Sequence, residues 1–289
     1  MTDTSQPTLA DAQPFLKWAG GKGQLLAQYD RFFPTDRGRA YFEPFAGSGA
    51  VFFELRKRDL FDDYALSDVN PELINCYLVV RNQVDALVEA LRAHKLAHEQ
   101  DDHQHYYEVR DQDRDPAWAG ASEVKRAARM IYLNKTCYNG LWRVNSKGQF
   151  NVPMGRYKNP DVLSEKRLRA ASLALQNVDV NTRPFTDVLD HAQAGDFVYF
   201  DPPYDPLSST ANFTSYSADS FGQDDQRRLA ETFRALSDRG CKVMLSNSDT
   251  PFVRGLYEGF TVHTVTARRA INSKGGKRGE ITEVLVVNY

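Results

Sequence analysis

The sequence predicts an α/β doubly wound sheet interrupted by an inserted, mainly helical domain. Three observations predict it. Short apolar strand-like runs alternate with helical segments along most of the chain, the pattern of a parallel sheet covered on both faces. A glycine turn, Ala46-Gly47-Ser48-Gly49, joins the first such run to the first long helix. From Val84 to Pro160 the alternation stops and gives way to polar helical sequence and then to loops.

Taken in order, the first dozen residues are polar and read as a flexible arm over residues 1–13, with no signal-peptide layout. Tyr41 to Phe45 is a short aromatic-rich strand, and helix-forming residues follow from Ala50 to Arg58. Tyr64 to Ser67 reads as a second strand that ends at Asp68. Pro71 then stands at a helix start, continued by the spacing of Leu73, Ile74, Tyr77 and Leu78. Val84 to Thr136 is helical and polar, and its Glu123 to Leu133 part is expected to pack on a core beneath a basic face. In Tyr138 to Pro160, Asn, Gly, Pro and aromatic residues break any helical period and predict loops with a small hairpin. Ser164 is placed to cap a helix reaching Gln176, with Arg167 and Arg169 on its exposed side. Val178 to Thr182 is strand-like, and the wholly apolar Phe197 to Phe200 is a buried parallel strand. A helix over Asp224 to Arg239 and strands over Lys242 to Ser246, Phe260 to Thr266 and Glu283 to Tyr289 complete the reading. The domain division that follows is 14–83 with 161–289 as the sheet domain, and 84–160 as the insert.

At 289 residues, 42% hydrophobic and 26% charged, the chain has the composition of a globular protein with a full core. No apolar stretch approaches the roughly 20 residues that span a bilayer. Cys76, Cys137 and Cys241 form neither a disulfide framework nor a metal pattern, which points to a reducing, cytoplasmic setting. The net charge of −2 hides an uneven distribution. Eight basic and no acidic residues lie between Val124 and Pro160, and five more between Arg268 and Gly279. Removing those 13 positive charges from −2 leaves the rest of the chain at −15. Two basic segments on an acidic body are expected to form a phosphate-binding face, the competing reading being solvated charged surface. His94, His98, His103 and His105 match no metal-ligand spacing, and their neighbours Glu99, Asp101 and Asp102 are read as an exposed acidic face.

Two short segments carry chemistry. Gly47 and Gly49 let the backbone turn sharply and let a ligand approach where a Cβ would stand. About 20 residues on, Asp68 at a strand end can accept hydrogen bonds from ribose hydroxyls. This pairing points to a nucleoside-containing cofactor, either a nicotinamide dinucleotide or S-adenosyl-L-methionine, and the FxGxG pattern lacks the third glycine of the dinucleotide fingerprint. The second segment is Asp201-Pro202-Pro203-Tyr204, directly after the buried Phe197–Phe200 strand. The prolines stiffen the turn and remove amide donors, so that carbonyls face a site. An aromatic amino group is a poor nucleophile, because its lone pair is delocalised into the ring. Hydrogen bonds from both its hydrogens, to the Asp201 carboxylate and the Pro202 carbonyl, favour a pyramidal nitrogen, and Tyr204 can stack on a base flipped out of a duplex. The competing reading of the segment is a strand ending in a rigid turn.

Several stretches resemble one family. FLKWAGGKGQLL (Phe15 to Leu26), FEPFAGSGAVFFEL (Phe42 to Leu55), SDVNPELI (Ser67 to Ile74), YNGLWRVNSKGQFNVPMGRYK (Tyr138 to Lys158), DPPY, LSSTANFTSY (Leu207 to Tyr216) and LSNSDT (Leu245 to Thr250) are similar to Dam-type, D12-class DNA adenine methyltransferases. The resemblance runs from about Phe15 to the C-terminus. It implies a Rossmann-like methyltransferase fold and transfer of a methyl group from S-adenosyl-L-methionine to N6 of adenine, leaving S-adenosyl-L-homocysteine. The Tyr138 to Lys158 segment resembles that of enzymes acting on GATC in double-stranded DNA.

Residue by residue, the resemblance implies a cofactor set of Trp18, Gly20, Lys22, Glu43, Phe45, Gly47, Gly49, Asp68, Phe185 and Asp201. It implies Asp201, Pro202 and Tyr204 as the catalytic turn. Arg143 matches a guanine-reading arginine, and Lys17 a further base contact. Leu141 and Pro153 match contacts to a thymine methyl. Tyr138 and Asn139 match residues that wedge into the stack as the adenine leaves, and Asn145, Asn151 and Arg156 match phosphate or base-proximal contacts. Trp142 and Val144 depart from the side chains expected beside Arg143. A monomer located with the nucleoid is the expected state. Methylation of RNA adenine or of a protein amide, and a non-catalytic DNA-binding module, are the alternatives.

Overall fold

The structure is a computed structural model that describes residues 6–205, 221–268 and 280–289. Part of the N-terminal arm, the LSSTANFTSY motif and nearly all of the second basic segment lie outside the described residues. A seven-stranded sheet runs in the order β3-β2-β1-β4-β5-β7-β6. Its strands are β1 Gly38–Glu43, β2 Phe61–Asp68, β3 Asp179–Thr182, β4 Phe197–Phe200, β5 Lys242–Ser248, β6 Thr261–Arg268 and β7 Glu280–Val287. The first five pair in parallel, and β7 is antiparallel to both its neighbours. This is the expected doubly wound α/β fold, Rossmann-like and closed at one edge by a hairpin. From β1 the chain steps outward to β2 and β3, then returns to lay β4 on the other side of β1, with Tyr41 beside Phe197 and Phe42 beside Val198. The order reverses there, so the loops leaving the carboxyl ends of β1 and β4 part and open a crevice.

Among the described residues, ten α-helices accompany the sheet: α1 Leu26–Tyr29, α2 Ala50–Arg58, α3 Pro71–Asn82, α4 Val84–Gln100, α5 Asp102–Asp111, α6 Glu123–Thr136, α7 Glu165–Leu175, α8 Val188–His191, α9 Gln223–Asp238 and α10 Pro251–Leu256. Pro71 opens α3 as expected, and the Asn70 side chain caps it by accepting from the amides of Glu72 and Leu73. Ser164 precedes α7, but its side chain makes no capping bond, and Arg167 and Arg169 are half-buried rather than exposed. Strand ends shift from the expected positions. β1 stops at Glu43 because Pro44 has no amide to donate, which leaves Phe45 in the turn. β7 stops at Val287, where Asn288 accepts from the Val243 amide through its side chain.

One buried cluster runs from Tyr41 and Phe53 through Cys76, Met130 and Tyr132 to Phe150 and Val152. The 84–160 insert therefore shares its core with the sheet layer. α6 packs as expected, but its basic face is not a face. Arg129 is 4% exposed and pairs with Asp113 at 2.7 Å, Arg126 pairs with Glu72, and Lys135 is buried, which brings its amino group down to about 8. Arg129 and Lys135 are turned away from solvent and Arg126, 32% exposed, is held by Glu72, so the expected phosphate-binding stretch narrows to Lys125 and the loop cations Arg143, Lys147, Arg156 and Lys158. Glu99, Asp101 and Asp102 are exposed as expected, while three of the neighbouring histidines pack around Tyr132. His94 stacks on Tyr132 at 4.9 Å and meets His105 at 3.0 Å, while His98 meets the Tyr132 hydroxyl at 2.9 Å. Burial brings His94 down to about 4, a neutral packing role. No described helix is long and apolar enough to cross a membrane.

Candidate active site

The crevice begins at the glycine turn after β1. Gly47 has φ +46, and a Cβ there would stand 3.0 Å from the Trp18 indole; Gly49 has φ +67, and a Cβ there would stand 2.7 Å from the Tyr77 hydroxyl. Each position is closed to other residues by both conformation and space. Tyr77 from α3 donates to the Gly47 carbonyl at 3.1 Å and pins the turn from behind. The Gly47 amide reaches Asp68 Oδ2 at 3.3 Å, and Oδ1 accepts from the Asn70 amide at 2.9 Å. Asp68 is thus aimed by one backbone donor on each oxygen, and burial raises it to about 6. Phe45 stacks on Phe185 at 5.3 Å, and Phe221 meets both edge-on, an apolar wall beside the carboxylate. A nucleoside fits this donor set, with ribose hydroxyls on Asp68 and the base against the phenyl rings. Glu43, like Lys22 of the predicted cofactor set, is buried. It is 3% exposed, accepts from the Tyr41 hydroxyl at 2.6 Å, and is pushed up to about 8 chiefly by burial. Its side chain sits in the packed layer under the crevice.

At the end of β4 the Asp201–Tyr204 turn is held on three sides. Lys22, itself 3% exposed, places its Nζ 2.7 Å from Asp201 Oδ1 and 4.7 Å from the centre of the Tyr204 ring. Ser246 on β5 donates to the same Asp201 oxygen at 2.9 Å. Burial raises the Asp201 carboxyl, and Lys22 and Ser246 oppose the shift. Tyr204 donates to Glu283 of β7 at 2.7 Å. Gln226, buried on α9, donates to the Pro203 carbonyl at 2.9 Å and accepts from Asn247 at 2.9 Å. Among the described residues nothing donates to the Pro202 carbonyl. The turn therefore offers Asp201 Oδ2, a free carbonyl and an aromatic ring, an acceptor pair suited to an amino group.

The Tyr138 to Lys158 segment forms the expected hairpin, reduced to isolated bridges at Val144–Phe150 and Cys137–Met154. The Asn145 side-chain oxygen accepts from the amides of Lys147 and Gln149 and closes the turn. Trp142 packs on Phe150 at 5.0 Å, which accounts for the large residue beside Arg143. Arg143 is exposed, and its Nε donates to Asn151 Oδ1 at 2.7 Å, so Asn151 braces the guanidinium. Tyr138, Asn139, Pro153 and Arg156 are exposed, Leu141 is half-buried, and Asn139 has φ +56. Lys17 reaches the Tyr157 ring at 4.4 Å. From below, Tyr106 donates to the Val152 carbonyl, and Asp113 accepts from the Phe150 amide at 2.7 Å.

Sequence reasoning did not single out Ser246, Glu283, Gln226, Tyr77 or Phe221 as site residues. Gln226 left one trace, a glutamine on the face of α9 that carries Leu229, Ala230 and Phe233. Glu283 left none, because only the pairing of β7 with β5 brings it to Tyr204.

Comparison with known proteins agrees with this geometry. The family of D12 class N6 adenine-specific DNA methyltransferases matches residues 18–271. The chain is 47% identical to the type II methyltransferase M.MjaIII of Methanocaldococcus jannaschii, over 96% of this chain and 100% of that protein. It is 42% identical to the type II methyltransferase M1.LlaDCHI of Lactococcus lactis subsp. cremoris, over 98% of each. It is 39% identical to the DNA adenine methylase of Escherichia coli K12, over 94% of each. RNA, protein-amide and non-catalytic readings are thereby set aside: the chain belongs to the D12 class of N6 adenine-specific DNA methyltransferases, enzymes that depend on S-adenosylmethionine.

Proposed function

We propose that the enzyme methylates adenine within GATC in double-stranded DNA, acting as a monomer, with residues 84–160 as its target-recognition part and the rest of the described chain as its catalytic part. The observation that carries the reading is Arg143, exposed on the hairpin and braced by Asn151, whose side-chain oxygen accepts from Nε at 2.7 Å and whose carbonyl accepts from one outer nitrogen at 3.4 Å. A planar guanidinium so presented suits bidentate contact to the N7 and O6 edge of guanine. The likeness of Tyr138 to Lys158 to the segment of GATC-acting enzymes supports the same site.

S-adenosylmethionine, when bound, supplies an electrophilic methyl group. Trp18, Gly20, Gly47, Gly49, Asp68, Phe45 and Phe185 would hold it, with Glu43 acting from beneath the turn. Lys22 and Ser246 hold one Asp201 oxygen, leaving the other to accept from the adenine amino group beside the Pro202 carbonyl. Tyr204 offers its ring to the flipped base. Tyr138 and Asn139 fill the place the base leaves, while Lys17, Leu141, Asn145, Pro153 and Arg156 line the duplex.

Asp201→Ala tests the catalytic part. Removing an acceptor used in the transition state is expected to lower the transfer rate by about a hundredfold or more, with duplex binding retained. Equal loss of binding and transfer would refute the role given to Asp201.

A further inference from the structure

Asn134 is 0% exposed near the end of α6, and its amide makes three hydrogen bonds that join two separate functional segments. Its Oδ1 accepts from the Lys17 amide at 2.8 Å, and its Nδ2 donates to the Lys17 carbonyl at 2.7 Å and to the Gly140 carbonyl at 2.9 Å. Both backbone groups of Lys17 are thus held as if by a neighbouring strand, and the same side chain holds the turn that carries Tyr138 and Asn139. The junction is tight. Gly140 has φ +65, and a Cβ there would lie 2.9 Å from Lys17 Cβ. On the other side, the segment leaving Lys17 passes Trp18 against Gly47 and ends at Lys22 on Asp201. The six residues Lys17 to Lys22 therefore connect the recognition turn to the acceptor carboxylate, fixed at Asn134, at Gly47 and at Asp201.

We propose that Asn134 is a positioning residue that couples correct docking of the recognition turn to the placement of Lys22 and Asp201. A displaced turn pulls on Lys17 through the shared amide, and the pull reaches the Lys22–Asp201 pair. Discrimination is then expressed in the rate of methyl transfer as well as in binding. The inference rests on reading Tyr138 to Arg143 as the DNA-recognition turn.

Asn134→Asp is the test, made in the full chain with S-adenosylmethionine bound. The aspartate is isosteric and still accepts from the Lys17 amide, but it has no proton for the two carbonyls. Single-turnover methyl transfer is compared on a GATC duplex and on one with its guanine replaced. The ratio of the two rates is expected to fall by about tenfold, the scale on which residues between two coupled sites alter coupling, with duplex affinity held within about threefold. Both rates falling together, the ratio kept, would mean a scaffold role only and overturn the inference. Should thermal melting show Asn134→Asp to be unfolded, Asn134→Ser takes its place in the same comparison. A wild-type enzyme indifferent to the guanine would instead refute the recognition reading, and this inference with it.

Discussion

Asp113→Asn should destabilise the enzyme far more than its place in a polar loop would lead one to expect. The Asp113 carboxylate is 10% exposed and lies 2.7 Å from Arg129, whose side chain is 5% exposed. It also accepts from the Phe150 amide at 2.7 Å and meets Arg114 at 3.2 Å. Asparagine can still accept from Phe150 but leaves the Arg129 charge buried without a counter-charge. Burial already holds that guanidinium below its ordinary value even with Asp113 beside it. Breaking one side of a buried pair costs about 3–5 kcal/mol. Arg129 keeps its bonds to the carbonyls of Val109 and Arg110, at 2.8 and 2.7 Å, which places the expected loss near the lower bound. About 3 kcal/mol corresponds to a melting point lowered by roughly 6–12 °C in a protein of this size. Because the same carboxylate holds Phe150, discrimination at GATC should weaken too. The assay is thermal melting of the wild type, Asp113→Asn, Arg129→Met and the double variant Asp113→Leu/Arg129→Met. The double variant, which removes both charges, should be more stable than either single change. A melting point within about 2 °C of wild type for Asp113→Asn would refute the reasoning.

Two further outcomes follow from the site. Arg143→Ala should lower preference for the guanine of GATC by about 1–3 kcal/mol, read as the ratio of kcat/KM on GATC and guanine-substituted duplexes; an unchanged ratio removes Arg143 from the recognition set. Glu43 is raised from 4.5 to about 8, so the folded state holds a proton that the unfolded chain has released between those values. Its contribution to stability is present below the lower value and is lost as pH rises through the upper one. Glu43→Gln should therefore gain on wild type between pH 5 and pH 9, by a few kcal/mol at about 1.4 kcal/mol per pH unit. A difference in denaturation midpoint that stays flat with pH would contradict the protonated Glu43.

What the sequence made legible was local. The apolar run Phe197 to Phe200 announces a central strand, because it is short, aromatic and β-branched, ends at Asp201-Pro202, and suits a strand covered on both faces. Gly47 and Gly49 announce the turn, because its positive φ values admit little else. Pairing across long separations was not legible. Lys22 and Asp201 lie 179 positions apart and meet only once β4 is laid beside β1. The basic character of α6 misled for a related reason. Periodicity places Arg126 and Arg129 on a helix, but Glu72 and Asp113, which pair with them, belong to other elements. Asn134 reads as an ordinary polar residue until Lys17 and Gly140 are seen on either side of it.

The central claim, adenine methylation within GATC, is tested most directly with labelled S-adenosylmethionine and two duplexes of equal composition, one carrying a single GATC and one with that site scrambled. After digestion to nucleosides, the account predicts label in N6-methyladenine from the GATC duplex and almost none from the other. Equal labelling of both duplexes would contradict it.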